Sequence, residues 1–319
     1  MNVRHLSFRL LQVYVEVVRC ASVSAAARVL HLTQPTVSLQ LKRLAEAVGE
    51  PLFESGTARM EPTLAGRELY RAACDVLDRF DDFAGFLERA RGGHAGHARI
   101  CVVTTAKYVL PRLLGPFAAS YPNVEVRLSV ANRARVLERF DKREDDLYLF
   151  SHPPSGPSVR SARMLKNPLQ LIAPLGHWAA GVARLPFARL AGERFLMREP
   201  GSATRMMFEA WLSGRGLGLE KSMEIESNEA IRLSVASGLG LSVISEHTLQ
   251  EGRERLAVLD VDGFPLESNW YLVAPRDRRL PYAARELVRF IGQHAADCIE
   301  AEWIYPDIGQ VAEDFIQGG

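Results

Sequence analysis

The bulk charge of this 319-residue chain points to no partner: 39 basic and 38 acidic side chains leave a formal net charge of +1. Any site for nucleic acid or for an anion must therefore be local. Cysteine is scarce, with only Cys20, Cys74, Cys101 and Cys298 and no Cys-x-x-Cys pair. That excludes a zinc ribbon and a secreted disulfide framework, and it suits reduced thiols of a cytoplasmic protein. No apolar run approaches the roughly 18 residues that a membrane-spanning helix needs. The N-terminus carries charge inside its apolar stretch and lacks a small-residue cleavage site, so it does not read as a signal peptide. Gly-x-Ser-x-Gly and His-Glu-x-x-His are both missing. Gly214-x-Gly216-x-Gly218 has no strand leading into it, and His94-x-x-His97 has no third ligand nearby. Cys101 lies in an apolar strand and reads as an inert thiol. With no catalytic set, no metal set and no cofactor motif, an enzyme is not expected.

What is present is a globular mixture, 47% hydrophobic and 24% charged, long enough for two domains at about 150 residues each. Residues 1–63 are helical in pattern and end in a Pro/Gly-punctuated stretch. Residues 64–91 form one long helical run, and the glycines and histidines of 92–97 break it. From 98 to 295 strands alternate with helices, with strands expected at 100–103, 124–130, 146–150, 169–173, 195–197, 224–226, 241–244, 256–259 and 270–274. Such alternation argues for parallel sheet in an α/β unit of two lobes, about 98–165 with 266–295, and 166–265. Residues 296–319 hold Asp297, Glu300, Glu302, Asp307, Glu313 and Asp314 with no Lys or Arg, and read as an acidic tail.

The N-terminal region carries the sharpest pattern. A short helix over about 24–30 presents Ala26 and Ala27, small enough for a second helix to cross closely. His31 and Leu32 turn the chain, Thr33 can cap the next helix, and Pro35 fits its first turn. In that helix Val37, Leu41, Leu44 and Val48 form an apolar stripe. The opposite face shows Gln34, Ser38 and Lys42, flanked by Pro35 and Leu39. This is the layout of a recognition helix, whose first turns meet base edges in the major groove of double-stranded DNA. Gln34 can pair with adenine, Ser38 with several bases, and Pro35 or Leu39 with a thymine methyl. Residues 51–62 then read as two short strands about a Ser55-Gly56 turn, a wing. Arg59 on the wing, with Lys42 and Arg43, can reach phosphates. Residues 1–63 carry seven basic and five acidic side chains, a net of only +2, so affinity would need more than one such domain.

Thr63 can cap the long helix. Within it Leu69, Ala73, Val76, Phe80, Phe83 and Leu87 are spaced +4, +3, +4, +3, +4, a heptad seam. Either it packs on the chain's own body, or it pairs with a second copy and holds two recognition helices at half-site spacing.

Three strand-to-helix junctions offer hydroxyls and backbone N–H groups to an anion. They are Thr104-Thr105-Ala106-Lys107, Ser202-Ala203-Thr204-Arg205 and Ser227-Asn228; Asn132-Arg133 brings another cation. Singly, each reads as an ordinary cap. Together they suit a cleft beyond the carboxyl ends of the strands. Arg205 is the expected anchor, because its planar fork suits carboxylate or phosphate; the alternative is a surface pair with Glu199 or Glu209.

The N-terminal 70 residues resemble the LysR-type transcriptional regulators. The resemblance rests on Ala26-Ala27, the run Leu30-His31-Leu32-Thr33-Gln34-Pro35-Thr36-Val37-Ser38, Gln40, Leu44, Gly49, Leu52-Phe53 and Thr63-x-x-Gly66. Leu39 departs from it, standing where many members are polar or basic, and so does Glu54-Ser55, where many have an arginine. The resemblance implies a winged helix-turn-helix whose DNA contacts fall on Thr33, Gln34, Pro35, Thr36, Ser38, Leu39, Lys42, Arg43 and Arg59. It also implies a linker helix paired in a homodimer or homotetramer, and a two-lobed effector module like a periplasmic binding protein.

Beyond residue 98, the runs Val103–Tyr108, Asn132-Arg133, Asp145–Tyr148, Arg198–Arg205, Ser227–Ile231 and Gly238–Ser245 resemble the branch that controls the Calvin-cycle (RuBisCO) operon. That implies a phosphorylated metabolite or NADPH as effector, on Thr104, Thr105, Lys107, Arg133, Ser202, Thr204, Arg205 and Asn228. The alternatives are a regulator of another operon with an organic-acid effector, a solute-binding protein of the same two-lobed fold, and a two-lobed cytosolic enzyme. The absent signal peptide and the first 91 residues speak against the solute-binding protein, and the lack of a nucleophile–base set or metal cluster speaks against the enzyme.

Overall fold

The computed structural model describes residues 5–54, 59–90, 96–249 and 253–318. Arg4, the Ser55-Gly56 turn expected in the wing, and Gly92, Gly93, His94 and Ala95 lie outside them. The chain divides into two compact units, Met1–Gly96 and His97–Gly319.

The first unit opens with three helices, α1 (Phe8–Cys20), α2 (Val23–Val29) and α3 (Gln34–Val48), followed by α4 (Leu64–Ala90). Ser7, Ser22 and Thr33 each cap a helix by accepting a first-turn N–H. Ala21 and Gly49 end α1 and α3 in the left-handed conformation that turns the chain sharply. α1 is buried on two sides. Val13 and Val17 pack on Ala26, Ala27 and Val37, while Tyr14 and Val18 pack toward Leu44, Tyr70 and Ala73. Among the described residues the strands expected in the wing amount to one antiparallel bridge, Phe53 to Pro62, with Glu54 N–H donating to Glu61 O at 2.8 Å. Thr63 Oγ1 donates to Pro51 O at 2.7 Å and accepts from Gly66 N at 3.0 Å, which fixes the start of α4. At Gly66 the backbones are so close that an added Cβ would lie 2.2 Å from Leu52 O.

The second unit has two lobes. In the first, β1 (Gly96–Val103), β2 (Val124–Ala131), β3 (Leu147–Phe150), β4 (Val159–Lys166) and β10 (Asn269–Pro275) form one sheet in the order β2-β1-β3-β10-β4. Helices α5 (Leu110–Ser120), α6 (Arg133–Asp141), α9 (Tyr282–Cys298) and α10 (Ile308–Gln317) belong to the same lobe. In the second lobe, β8 (Ser242–Ser245), β5 (Leu169–Pro174) and β9 (Leu256–Val258) form one sheet, and β6 (Arg194–Met197) and β7 (Lys221–Glu224) form another. Helices α7 (Ala203–Ser213) and α8 (Asn228–Ala236) complete it.

The sheets are mixed, not the parallel arrangement expected from the alternation. β1–β3 and β6–β7 are parallel, but β10 is antiparallel to both β3 and β4, and β5 is antiparallel to β8 and β9. The chain crosses between lobes twice, at 166–169 and 266–269. Returning along β10 reverses the direction of entry, so an antiparallel strand follows from the double crossing. β4 was not anticipated, because Arg160 and Arg163 interrupt its apolar pattern; Arg160 is in fact buried, donating to Phe315 O and Arg278 O.

The stretch read as an acidic tail from residue 296 is folded. α9 continues to Cys298, a short turn spans Ala301–Trp303, and α10 buries Ile308, Ala312 and Phe315 in the core of the first lobe. Its acidic residues occupy the outward face, where Glu313 pairs with Arg289 at 2.9 Å.

Candidate functional site

α3 displays the arrangement a DNA reader needs. Val37 and Leu44 are fully buried, which forces Gln34, Pro35, Ser38, Leu39, Lys42 and Arg43 outward, and all six are exposed. Thr33 is exposed at the cap, and its hydroxyl lies 2.8 Å from that of the half-buried Thr36. Arg59 is exposed.

The heptad seam of α4 divides. Leu69 and Ala73 pack in the core of their own unit beside Tyr70 and Cys74. Val76, Phe80, Phe83 and Leu87 are exposed, Phe80 and Phe83 by more than half, with Phe86 beside them. Phe8 meets Phe80 edge-on at 5.0 Å. So Leu69 and Ala73 are internal packing residues in this chain, and the open apolar stripe begins at Val76.

In the second unit two of the three junctions, through Thr104 and Asn228, meet on a residue absent from the expected set. Arg198 directly follows β6 and is only 4% exposed. Its Nη1 donates to Asn228 Oδ1 at 2.5 Å and its Nη2 to Thr104 Oγ1 at 3.3 Å; Nε and Nη2 hold Glu199 at 2.8 and 2.9 Å. Parallel pairing of β6 and β7 puts Arg198 and the start of α8 at one carboxyl edge. Thr104 directly follows β1, so the Arg198 bond spans the two lobes. Lys107 makes a second crossing, pairing with Glu229 at 2.5 Å. Burial raises the Glu229 carboxyl, but hydrogen bonds from Lys107, Tyr108 and Ser227 outweigh it and hold the pKa at about 2. Thr105, Ser202 and Thr204 are buried at the first turns of their elements. Ser202 makes no side-chain cap bond to α7.

Arg133 stands at the carboxyl edge of the first lobe. Its Nε donates to His152 O at 3.1 Å, just past β3, and burial lowers its pKa. Arg205 does not join the cluster. It pairs with Glu209 at 2.7 Å and Glu224 at 2.9 Å and donates to Arg198 O at 2.9 Å. From the first turn of α7 its side chain runs along the helix toward Glu209, one turn on, and away from the cleft. The signal for Arg198 was its place immediately after an apolar strand, where side chains of open α/β sheets meet ligands.

No helix among the described residues is long and apolar enough to cross a membrane, and no cluster of metal-ligating side chains occurs among them.

Comparison with known proteins extends this picture. Residues 8–67 match the family model for the bacterial regulatory helix-turn-helix protein, lysR family, and residues 91–296 match the LysR substrate binding domain. The chain is 37% identical over 299 residues to the RuBisCO operon transcriptional regulator of Acidithiobacillus ferrooxidans, covering 93% of this chain and 97% of that protein. It is 38% identical over 285 residues to the HTH-type transcriptional activator CmpR of Synechocystis, covering 89% and 94%. Among solved structures, the CcmR regulatory domain of Synechocystis in complex with 2-PG matches with a TM-score of 0.60 and 36% identity, covering 64% of this chain and 98% of that one. A full-length OxyR variant from Pseudomonas aeruginosa shares the fold, with a TM-score of 0.73, 18% identity and coverage of 94% and 98%. These relatives are named as regulators, not enzymes. With both family models matched in sequence order and relatives aligned over nine-tenths of its length, the chain belongs to the LysR family of DNA-binding transcriptional regulators.

Proposed function

We propose that this regulator acts in the cytoplasm on the promoter of a RuBisCO operon and responds to a small phosphorylated anion bound between its lobes. Its relatives support the operon, since that of Acidithiobacillus ferrooxidans carries it in its name. The CcmR domain, solved with 2-PG, supports the ligand class. One observation in this chain carries the reading: the buried guanidinium of Arg198 reaches both lobes, through Thr104 and Asn228. An anion entering there meets Arg198, Lys107 and Arg133, the hydroxyls of Thr104, Thr105, Ser202 and Thr204, and the N-terminal N–H groups of α7 and α8. Charge-assisted bonds of that kind are about twice as strong as neutral ones. Such a ligand would displace Glu199 and Glu229 from the two cations and so rewire contacts between the lobes. A ligand changes the DNA-bound state only by binding two arrangements unequally, and a cross-lobe site is placed to do so.

The exposed stripe Val76, Phe80, Phe83 and Leu87 supports pairing with a second copy, as a dimer or a dimer of dimers. That pairing would set two α3 helices on successive major grooves, with Gln34 and Ser38 reading bases and Lys42, Arg43 and Arg59 on phosphates. The cleft is tested by calorimetry of the full chain with 2-PG. Arg198→Lys keeps the charge but loses the fork, and should weaken binding by about 1.4 kcal/mol or more, tenfold in Kd. Equal affinity in wild type and Arg198→Lys, with both folded by circular dichroism, would remove Arg198 from the site.

A further inference from the structure

The matched effector domain ends at residue 296, yet the chain continues into an ordered segment that grips the hinge. The hinge consists of the two crossings between lobes. Asn167 N–H donates to Ser268 O across them at 2.8 Å, and Ser245 Oγ donates to Asn167 Oδ1 at 2.5 Å.

Three consecutive residues of the added segment reach this point. Trp303 is buried in the core of the first lobe, and its ring meets His247 edge-on at 4.2 Å. His247 follows β8 in the second lobe and is 1% exposed. Its Nε2 lies 2.9 Å from Lys166 O; because that carbonyl can only accept, Nε2 carries the hydrogen. Its Nδ1 is buried without a hydrogen-bond partner, and the ring is held by the Lys166 bond and by contact with the rings of Trp303 and, at 6.3 Å, Trp270. Ile304 bridges Leu165 at the end of β4. Tyr305 donates to Asn269 Oδ1 at 2.5 Å, on the second crossing, and its ring lies 3.9 Å from the Arg163 guanidinium. The Glu246–Leu249 turn that carries His247 in turn packs on the Thr104–Tyr108 turn, which supplies Thr104 and Lys107 to the cleft.

We propose that residues 299–305 brace the hinge, and that Trp303 and Tyr305 are positioning residues for the cleft. Rotation of the lobes must shear Trp303 past His247, while the Tyr305–Asn269 bond and the Ile304–Leu165 bridge fix the segment to the first-lobe end of the hinge, so the brace sets how freely the lobes open. Its effect on ligand binding rests on the reading given above. Its effect on the hinge does not.

The test is hydrogen exchange on the full-length protein, comparing Trp303→Ala with Trp303→Phe. In Trp303→Ala, exchange in peptides covering 165–169 and 266–270 should rise about tenfold or more, with β1 and β3 unchanged, as expected for a local opening. Trp303→Phe should restore most of the protection. His247→Gln, which removes the ring from the other lobe, should loosen the same peptides and decides the matter if Trp303→Ala does not fold. In a wild type that binds 2-PG, Trp303→Ala should weaken it about tenfold through the coupling between hinge and cleft. Unchanged hinge exchange, or a rise spread equally over the first lobe, would overturn the brace. Looser hinges with an unaltered 2-PG affinity would overturn the positioning role. A wild type that ignores 2-PG would count against the ligand reading alone, and the exchange data would still decide the brace.

Discussion

Replacing Gly66 by alanine puts two physical effects in opposition. Gly66 lies in the first turn of α4, and helix propensity alone would reward alanine by up to about 1 kcal/mol. The packing forbids it. The new Cβ would lie 2.2 Å from Leu52 O and 2.8 Å from Tyr14 Oη, the hydroxyl that donates to Gly66 O at 2.8 Å. Backbone on one side and a fully buried ring on the other leave little room to yield. Overpacking costs about 1–3 kcal/mol. Prising the Tyr14 hydroxyl from its acceptor leaves a buried polar group unsatisfied, for about 1–3 kcal/mol more. Less the gain in propensity, the expected loss is about 1–5 kcal/mol. All four tryptophans (Trp178, Trp211, Trp270 and Trp303) lie in the second unit, so their fluorescence does not report on the first. In urea, Gly66→Ala should bring the far-ultraviolet dichroism transition of the helical first unit to lower denaturant while the fluorescence transition stays in place. A dichroism transition that holds its position or moves to higher urea would refute the reasoning.

Gln34→Ala should cost about 1–3 kcal/mol on the cognate operator and little on random DNA, measured by titration at fixed salt. Arg59→Ala should weaken both alike and flatten the salt dependence. Phe80→Glu with Phe83→Glu should yield monomers in sedimentation and abolish operator binding, whereas a surviving dimer would show that the stripe is not the pairing surface. Arg205→Ala should cost under about 1 kcal/mol of stability, as partly exposed ion pairs do, and leave 2-PG binding intact. The Glu229 carboxyl is depressed to about 2 in the folded chain. Its contribution is therefore fully present above the unfolded pKa near 4.5 and is lost as pH falls toward 2, so Glu229→Gln should flatten that acid limb of an unfolding titration.

The helix-turn-helix was legible because its signals are local. Capping by Thr33, the small Ala26-Ala27 contact and the stripe through Val37 and Leu44 are all fixed within a few residues. Strand direction was not legible, since an apolar run such as Leu169–Pro174 reads the same in parallel and antiparallel sheets. The acidic residues after 296 masked Ile308, Ala312 and Phe315, whose +4, +3 spacing is an ordinary buried helix stripe. On α4 the spacing of Leu69 and Ala73 matches that of Phe80 and Phe83, but only the fold shows that α1 covers the former pair. Arg205 drew attention through its neighbouring hydroxyls. Arg198, seven residues earlier, is the one whose backbone leaves the strand at the cleft.

The most direct test of the account joins its two ends. Full-length protein is titrated onto a RuBisCO-operon promoter fragment with and without saturating 2-PG, and 2-PG is titrated onto the protein with and without that DNA. The account predicts specific binding, a ligand-dependent change in operator affinity, and the same factor in both directions, because coupling between two sites is reciprocal. In Arg198→Lys the factor should fall toward one while ligand-free operator affinity is kept. A promoter bound identically at every 2-PG concentration, or a coupling factor untouched by Arg198→Lys, would contradict it.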